Sequence, residues 1–413
     1  MTATTNSADR ELDSLRARYR HDFDPYAPLT MAEQLDILAG MRAEKPVAWS
    51  ARGNGCWVAT KYDDVSSVLR RSNRGFQSFP IDPDGLNLTG TVNGMVPLEL
   101  DGERHREFRT MLDPSFAPKR IAEMADQLRA HANNLIDTFI EAGHCDFSEE
   151  FALPFPGATV MSLMGWPLKD IDKMNEWTSI IHHGSSHEDD KARAHRETHE
   201  YMLELIVRRR SEPPRDDLTT VTMDSLIEGR KLTDDELVEL YGLIMTAGLG
   251  TVQAVMSKSM VYFAERQDQW DEMFESEESV ELAVEELLRF TSPASPTRTI
   301  NQNSAEVGGL TLPRGERVFM VLAAANRDPQ YWDDPDVIKL GEHRKPHLSF
   351  GLGPHRCIGV HLARLELKIG FTELHRRIPR FTLTPGTTPQ EFLGLTWGTH
   401  NVQLSFDPGP RES

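Results

Sequence analysis

The sequence predicts a mainly α-helical chain with minor β structure, folded as a single domain over residues 1–413. Three observations point there. Apolar residues recur at helical spacing through most of the length. Short β-type runs occur only near the start and toward the end. No repeat, low-complexity tract or clean linker divides the chain, although its length alone allows two or three domains.

Taken in order, the start "MTATTNSADRELDSLRARYRHDF" has no apolar h-region, so no secretory signal is expected, and residues 1–20 read as a disordered tail. "GCWVATKYDDVSSVLRRS" reads as a short strand followed by a helix. Asn73 to Gly102 is a long Gly-, Pro- and Asn-rich stretch whose apolar residues are too many for a solvated tether. Helices are expected over Gly102–Leu112, Ile121–Ala142, Glu150–Met164, Leu168–Ile181 and Asp190–Arg210, with "HHGSSHEDDK" as a mobile connection between the last two. "TDDE" at Thr233–Glu236 is a capping box, in which each end residue satisfies the other's free amide. It opens a helix expected to run to about Arg266, roughly 50 Å long. The helix "SVELAVEELLRF" follows, then short strands within "VGGLTLPRGERVFMVLAA", and strand-and-turn character from Phe381.

Composition narrows the function. A formal charge of −19 argues against nucleic acid and against anionic membrane surfaces. The most apolar run, "LYGLIMTAGLGTVQAVMSKSMVYF", is broken by glycines, Gln253 and Lys258, and suits a buried helix better than a membrane span. The three cysteines, Cys56, Cys145 and Cys357, are widely spaced and odd in number. That is neither a disulfide framework nor a zinc pattern, and a reducing cytoplasm is expected.

Chemistry concentrates at "HLSFGLGPHRCIGVHLARLEL", from His347. Gly351, Gly353 and Gly359 permit left-handed or tightly folded backbone, and Pro354 stiffens the turn between them. Cys357 stands at the entrance to a helix, where free amides and the dipole favour an anion and hence a thiolate. The ordinary alternative is a small buried hydrophobe, the class to which Cys56 and Cys145 are assigned. One thiolate cannot build a structural zinc site, but it can be the single axial protein ligand of a haem.

"FGLGPHRCIG" (Phe350–Gly359) matches Phe-x-x-Gly-x-x-x-Cys-x-Gly at every defined position, and here the chain resembles the cytochrome P450 family. Thiolate ligation in that family is established chemistry, not a deduction from this sequence. The resemblance extends over almost the whole chain. It is strongest to the soluble bacterial branch and, through "GHCDFSEEFALPFP" and the capped long helix, to its camphor-hydroxylating type. It implies a triangular-prism haem-thiolate domain holding heme b (iron protoporphyrin IX), with Cys357 as the iron ligand in a loop that includes Phe350, Gly351 and Gly359.

The resemblance assigns further residues. Glu286 and Arg289 in "EELLRF" are the family's helix pair; read alone, such a pair is more often a solvated surface contact. His105 and Arg109 of "HREFR", Arg298 of "SPTRTI" and His355 correspond to residues that hold the haem propionates. In "TAGLGTVQ", Ala247 and Gly248 correspond to a pair that lets the long helix pass close over the iron face with a local widening. Thr251 corresponds to the threonine that steers protons, though a hydroxyl bonded back to its own helix is the common alternative. The family usually has an acid immediately before that threonine; here Gly250 stands there.

The activity implied is insertion of one oxygen atom from O2 into a small, mostly apolar organic substrate, a terpenoid by the closer resemblance. No G-x-G-x-x-G continues either "GLG", so no nucleotide-binding unit is visible. A separate iron–sulfur ferredoxin with an NAD(P)H reductase is the implied electron source. Arg104, Arg106, Lys119, Arg120, Arg356 and Arg364 are candidates for a basic docking patch, with an ordinary solvated face as the alternative. Pocket walls expected from position are Phe79, Leu88, Val92, Leu243, Ile244, Ala247, Thr297, Leu395 and Thr396. Gly250 keeps a peroxygenase or reductase as the second reading. A non-enzymatic haem protein is the third: Cys-x-x-Cys-His is absent, which excludes c-type attachment, and no output module is visible.

Overall fold

The computed structural model describes residues 7–52, 55–78, 95–183, 188–342, 345–394 and 396–412. In chain order the elements are α1 (Ser7–Arg18), α2 (Met31–Glu44), β1 (Val47–Ser50), β2 (Cys56–Ala59), α3 (Tyr62–Arg70), β3 (Phe76–Gln77) and α4 (Gly102–Leu112). Next come α5 (Pro118–Ala122), α6 (Ala125–Phe139), β4 (His144–Asp146), α7 (Pro154–Met164), α8 (Ile171–His183), α9 (Glu188–Arg210) and α10 (Leu218–Asp224). Then follow α11 (Asp234–Ala264), α12 (Gln267–Glu272), α13 (Glu277–Thr291), β5 (Thr297–Ile300), β6 (Ser304–Val307), β7 (Leu310–Pro313) and β8 (Arg317–Met320). The chain ends with α14 (Leu322–Ala325), α15 (Val360–Arg377), β9 (Phe381–Leu383), β10 (Gln390–Phe392), β11 (Gly398–His400) and β12 (Gln403–Phe406). The result is mainly α with minor β, as the sequence predicts.

Helix α11 organises the fold. Its capping box forms in full: the Glu236 amide donates to Thr233 Oγ1 (3.2 Å) and the Thr233 amide to Glu236 Oε2 (2.8 Å). Its first half packs with α7, α8 and α9 around Leu240, Tyr241, Met245 and Leu249. Its second half packs with α13 and α15 around Val255, Met256, Met260 and Phe263. One helix is thereby common to two apolar cores. Among the described residues it alone is long and apolar enough to cross a membrane, and this packing accounts for that composition. The sheet lies to one side in the order β1-β2-β8-β5-β3, all pairs antiparallel except β2 with β8. It delivers Thr297 and Arg298 on β5.

Several boundaries differ from expectation. The start of the chain holds α1, tied down by Arg16 Nη2 to Glu316 Oε1 at 2.6 Å, where a disordered tail was expected. The helix expected over Ile121–Ala142 divides at Met124, whose ψ of −6° departs from helical geometry, and Gly143 at φ +71° ends its last turn. The helix expected from Glu150 starts as a π-helical turn at Ser148–Ala152 and becomes α-helical at Pro154. Proline has no N–H to continue the earlier ladder. The strand expected through "MVLAA" stops at Met320, and the chain turns into α14. Helices reach to His183 and resume at Glu188; the centre of the expected mobile connection lies outside the described residues.

Candidate active site

The Cys357 loop is held by its own backbone. The Gly351 amide donates to Leu348 O (2.7 Å), the Arg356 amide to Gly353 O (3.1 Å) and the Cys357 amide to Phe350 O (2.9 Å). Gly351 and Gly353 have φ of +65° and +73°. At Gly353 a Cβ would stand 2.6 Å from the Leu69 carbonyl oxygen at the end of α3, so the loop approaches that helix backbone to backbone. Gly359 departs from expectation: its φ is −77°, and a Cβ there would meet only the Cys357 sulfur at 3.9 Å. Its contribution is the amide, which donates to that sulfur.

Cys357 sits in a recess, accessible at its mouth yet crowded by protein around the sulfur. Crowding pushes the thiol up; the Gly359 amide and then Arg109, Arg356 and Arg364 oppose it. In the protein alone, desolvation works against the expected bias toward thiolate, and a cationic partner would hold the anion.

Next to this loop the structure gathers the predicted cations. The His105 and His355 rings stack at 4.0 Å. His355 Nε2 lies 3.1 Å from both Asp101 Oδ1 and Ser78 Oγ. Burial, then His355 and Arg109, push His105 down to about 4. Burial likewise lowers His355, against Asp101. Arg298, 5 % exposed, donates Nε to Ser72 Oγ (3.0 Å) and Nη1 to Thr297 O (2.8 Å). It has no carboxylate within ion-pair distance among the described residues, and burial brings it down to about 10. Arg109 joins α4 to the loop, with Nε to Asp113 Oδ1 at 3.0 Å and Nη1 to Arg356 O at 2.7 Å. Asp101 serves His355 and Asp113 serves Arg109, which leaves Arg298 without a paired carboxylate among the described residues, and a buried guanidinium without a counter-charge is unfavourable. The donor set therefore suits a dianionic group such as the two propionates of a haem.

Glu286 and Arg289 are 2 % and 1 % exposed and form a two-pronged pair at 2.8 Å and 2.8 Å, so the solvated-surface alternative does not apply. Arg289 also donates to Asn326 O (2.8 Å), Pro335 O (2.8 Å) and Val337 O (3.2 Å), while the Lys339 amide donates to Glu286 Oε1 (3.0 Å). Asn326 carries the network into the cysteine loop: its Oδ1 accepts the Leu348 amide (2.8 Å) and its Nδ2 donates to Ser349 Oγ (2.9 Å). Sequence reasoning missed Asp101, Asn326 and Ser349. Asp101 had a local signal, since it stands at the N-cap of α4 yet makes no capping bond.

On α11, Leu243, Ile244, Ala247 and Thr251 fall at helical spacing on one accessible stripe, and Ala247 is exposed. The Thr251 hydroxyl donates back to Ala247 O at 3.0 Å, the common role. Gly250 is buried. The helix is continuously α-helical here, without the expected widening. Gly248 has a different reason: a Cβ would stand 2.5 Å from Val160 Cγ2, so it admits α7. Thr297 is buried with an unpartnered hydroxyl, and Thr396 bridges to Ala294. Phe79, Leu88, Val92 and Leu395 lie outside the described residues. A separate open cleft of about 650 Å³, which includes Lys258, Tyr262 and Glu391, shares no residue with these expected walls.

Most of the proposed basic patch is already paired. Arg104 meets Glu228 and Glu236, Arg106 meets Glu103, Arg120 meets Asp216 and Glu123, and Arg364 meets Glu285. Lys119 and Arg356 have no carboxylate partner among the described residues.

A loop that presents one cysteine sulfur, next to two stacked histidines and a buried guanidinium that lacks a counter-charge, has the chemistry of a haem-thiolate protein. The chain belongs to the cytochrome P450 family: residues 161–406 match the family described as "Cytochrome P450". It is 33% identical over 356 residues to a probable cytochrome P450 127A1 of Sinorhizobium fredii, covering 86% of this chain and 84% of the relative. It is 31% identical over 381 residues to a vitamin D(3) 25-hydroxylase of Pseudonocardia autotrophica, covering 91% and 94%. Among solved structures, CYP101J2 superposes with a TM-score of 0.81 at 25% identity, covering 94% of this chain and 98% of that one. A mutant of P450 EryK in complex with erythromycin B gives 0.81 at 26%, covering 92% and 98%. Family membership implies a haem and oxidoreductase activity of the monooxygenase kind.

Proposed function

We propose that this P450 inserts one oxygen atom from O2 into a small, mostly apolar organic molecule, with electrons from a separate ferredoxin and its NAD(P)H reductase. The observation that carries the reading is the buried Arg298, without a paired carboxylate among the described residues, with the stacked His105 and His355 next to the loop that presents Cys357. A bound haem supplies oxygen activation, to which thiolate donation contributes. The protein's own residues do the rest. Cys357 donates the sulfur ligand, and the Gly359 amide and nearby arginines stabilise its charge. Arg298 would neutralise a propionate, and His355 would hydrogen-bond one. Leu243, Ile244 and Ala247 offer an apolar wall, while Thr251 and Thr297 offer hydroxyls to orient substrate or hold a proton. The reading extends to a cytoplasmic setting.

The substrate class stays broad. The relatives' names mention a steroid, vitamin D(3), a polyketide and nocardicin C, and none points to a camphor-hydroxylating branch. A terpenoid is one member of the class proposed. The test is the absorption of the reduced carbon monoxide complex in holoprotein, where a thiolate ligand gives the long-wavelength Soret band. A short-wavelength band in freshly folded protein refutes the ligand. The second reading, a peroxygenase or reductase, is favoured by one observation: buried Gly250 supplies no acid before Thr251, whose hydroxyl is turned back on Ala247. Turnover with hydrogen peroxide and none with a ferredoxin pair selects it.

A further inference from the structure

Between the cysteine loop and α13 lies a charge cluster that the reading above does not use. Arg364 of α15 donates Nε to Glu285 Oε1 (2.6 Å) and Nη2 to Oε2 (2.7 Å). His347 Nε2 reaches Glu285 Oε2 at 3.3 Å, and His347 Nδ1 accepts the Ser349 amide at 3.2 Å. Accepting at Nδ1 leaves the ring proton on Nε2, aimed at Glu285. The Arg364 guanidinium lies 5.0 Å over the Phe350 ring, and the Phe350 carbonyl accepts the Cys357 amide at 2.9 Å. Three side chains thus converge on the backbone that holds the sulfur.

Stability gives this cluster little reason to exist. Arg364 and Glu285 are 33% and 39% exposed, and a pair so exposed contributes little to stability. Position and charge give it more. Arg364 is one of three arginines whose charge acts on the Cys357 sulfur. Glu285 cancels part of that charge. Burial raises the Glu285 carboxyl, but His347 and Arg364 outweigh it and bring it to about 2, so the counter-charge is permanent at neutral pH.

We infer that Arg364 and Glu285 are positioning residues that set the electron affinity of the metal centre from behind its ligand. Arg364 props Phe350 and adds positive charge; Glu285, steadied by His347, limits how much of that charge the sulfur feels. The inference rests on Cys357 being the iron ligand.

The test is the midpoint reduction potential of the holoprotein for wild type, Arg364→Gln, Glu285→Gln and the double variant, at low and high salt. Loss of the arginine's charge favours the oxidised iron, so Arg364→Gln shifts the potential down. Loss of the carboxylate shifts it up, and the double variant returns toward wild type. Both shifts shrink with added salt, because the pair is partly exposed. Arg364→Lys keeps the charge and loses the planar fork: it restores most of the potential, while the Soret band of the carbon monoxide complex reports any loss of loop geometry. A merely structural brace moves both single variants the same way, or neither, and either result overturns the inference. The spectrum of wild type separates the two levels. A nitrogen-type band removes the ligand reading and this inference together; a thiolate band with same-sign shifts removes only the inference.

Discussion

Glu366 provides the sharpest stability test, because burial decides its protonation state. It lies on α15, nine residues beyond the metal-ligand candidate, and is 2% exposed. The Thr159 hydroxyl beside it is shared with Phe155 O (3.1 Å), so it favours the charged carboxylate only weakly, and carboxyl oxygen Oε1 has no partner. Burial accordingly raises this carboxyl well above its ordinary value, with the Thr159 contact opposing only in part. The sign follows from linkage. Below the unfolded value, about 4.3, both states hold the proton and pH has no effect. Above it the unfolded chain releases the proton and the native state keeps it, so each further pH unit costs the fold about 1.4 kcal/mol until the native group ionises. Glu366→Gln is neutral in both states and lacks that slope, and its amide can donate to Thr159 in place of the acid. Its second N–H stays unpaired at a cost of about 1–3 kcal/mol. The variant should therefore be no more stable than wild type near pH 4 and gain on it steadily toward pH 7.5, by up to about 4 kcal/mol if the proton is kept throughout. Urea midpoints measured across that range check the slope, and the infrared band of a protonated carboxyl should vanish in the variant. Parallel pH profiles would refute the argument.

Three other outcomes follow from distances already given. Gly353→Ala forces a left-handed alanine, at about 1–2 kcal/mol, and drives its Cβ against the Leu69 carbonyl; thermal unfolding should drop and haem retention on gel filtration should fall with it. Glu286→Ala leaves the Arg289 guanidinium buried without its carboxylate and should cost about 3–5 kcal/mol in chemical denaturation, against under 1 kcal/mol for Glu103→Ala at an exposed pair. Arg298→Gln should weaken haem uptake, measured by transfer to apomyoglobin, with little change in far-UV circular dichroism; unchanged transfer rates would exclude Arg298 from propionate binding.

What was legible in the sequence divides by the range of the physics involved. The capping box at Thr233 and Glu236 is closed within four residues, and α4 runs over the predicted Gly102–Leu112, because local hydrogen bonding decides both. The cysteine motif is likewise local, and its two left-handed glycines could be read from spacing. Gly248 was legible as a glycine that needs a reason, but the reason is Val160 of α7, which no local window contains. Glu286 and Arg289 were legible as a facing pair, yet their burial depends on main-chain acceptors 37 to 48 residues further along. The charge state of Cys357 shows the same limit most clearly. A helix entrance, visible in the sequence, argues for thiolate, whereas the crowding that opposes it in the folded protein comes from packing. The balance is restored only by positive charge brought close to the sulfur, and for that reason the arginines around it, Arg364 among them, bear on function rather than on stability.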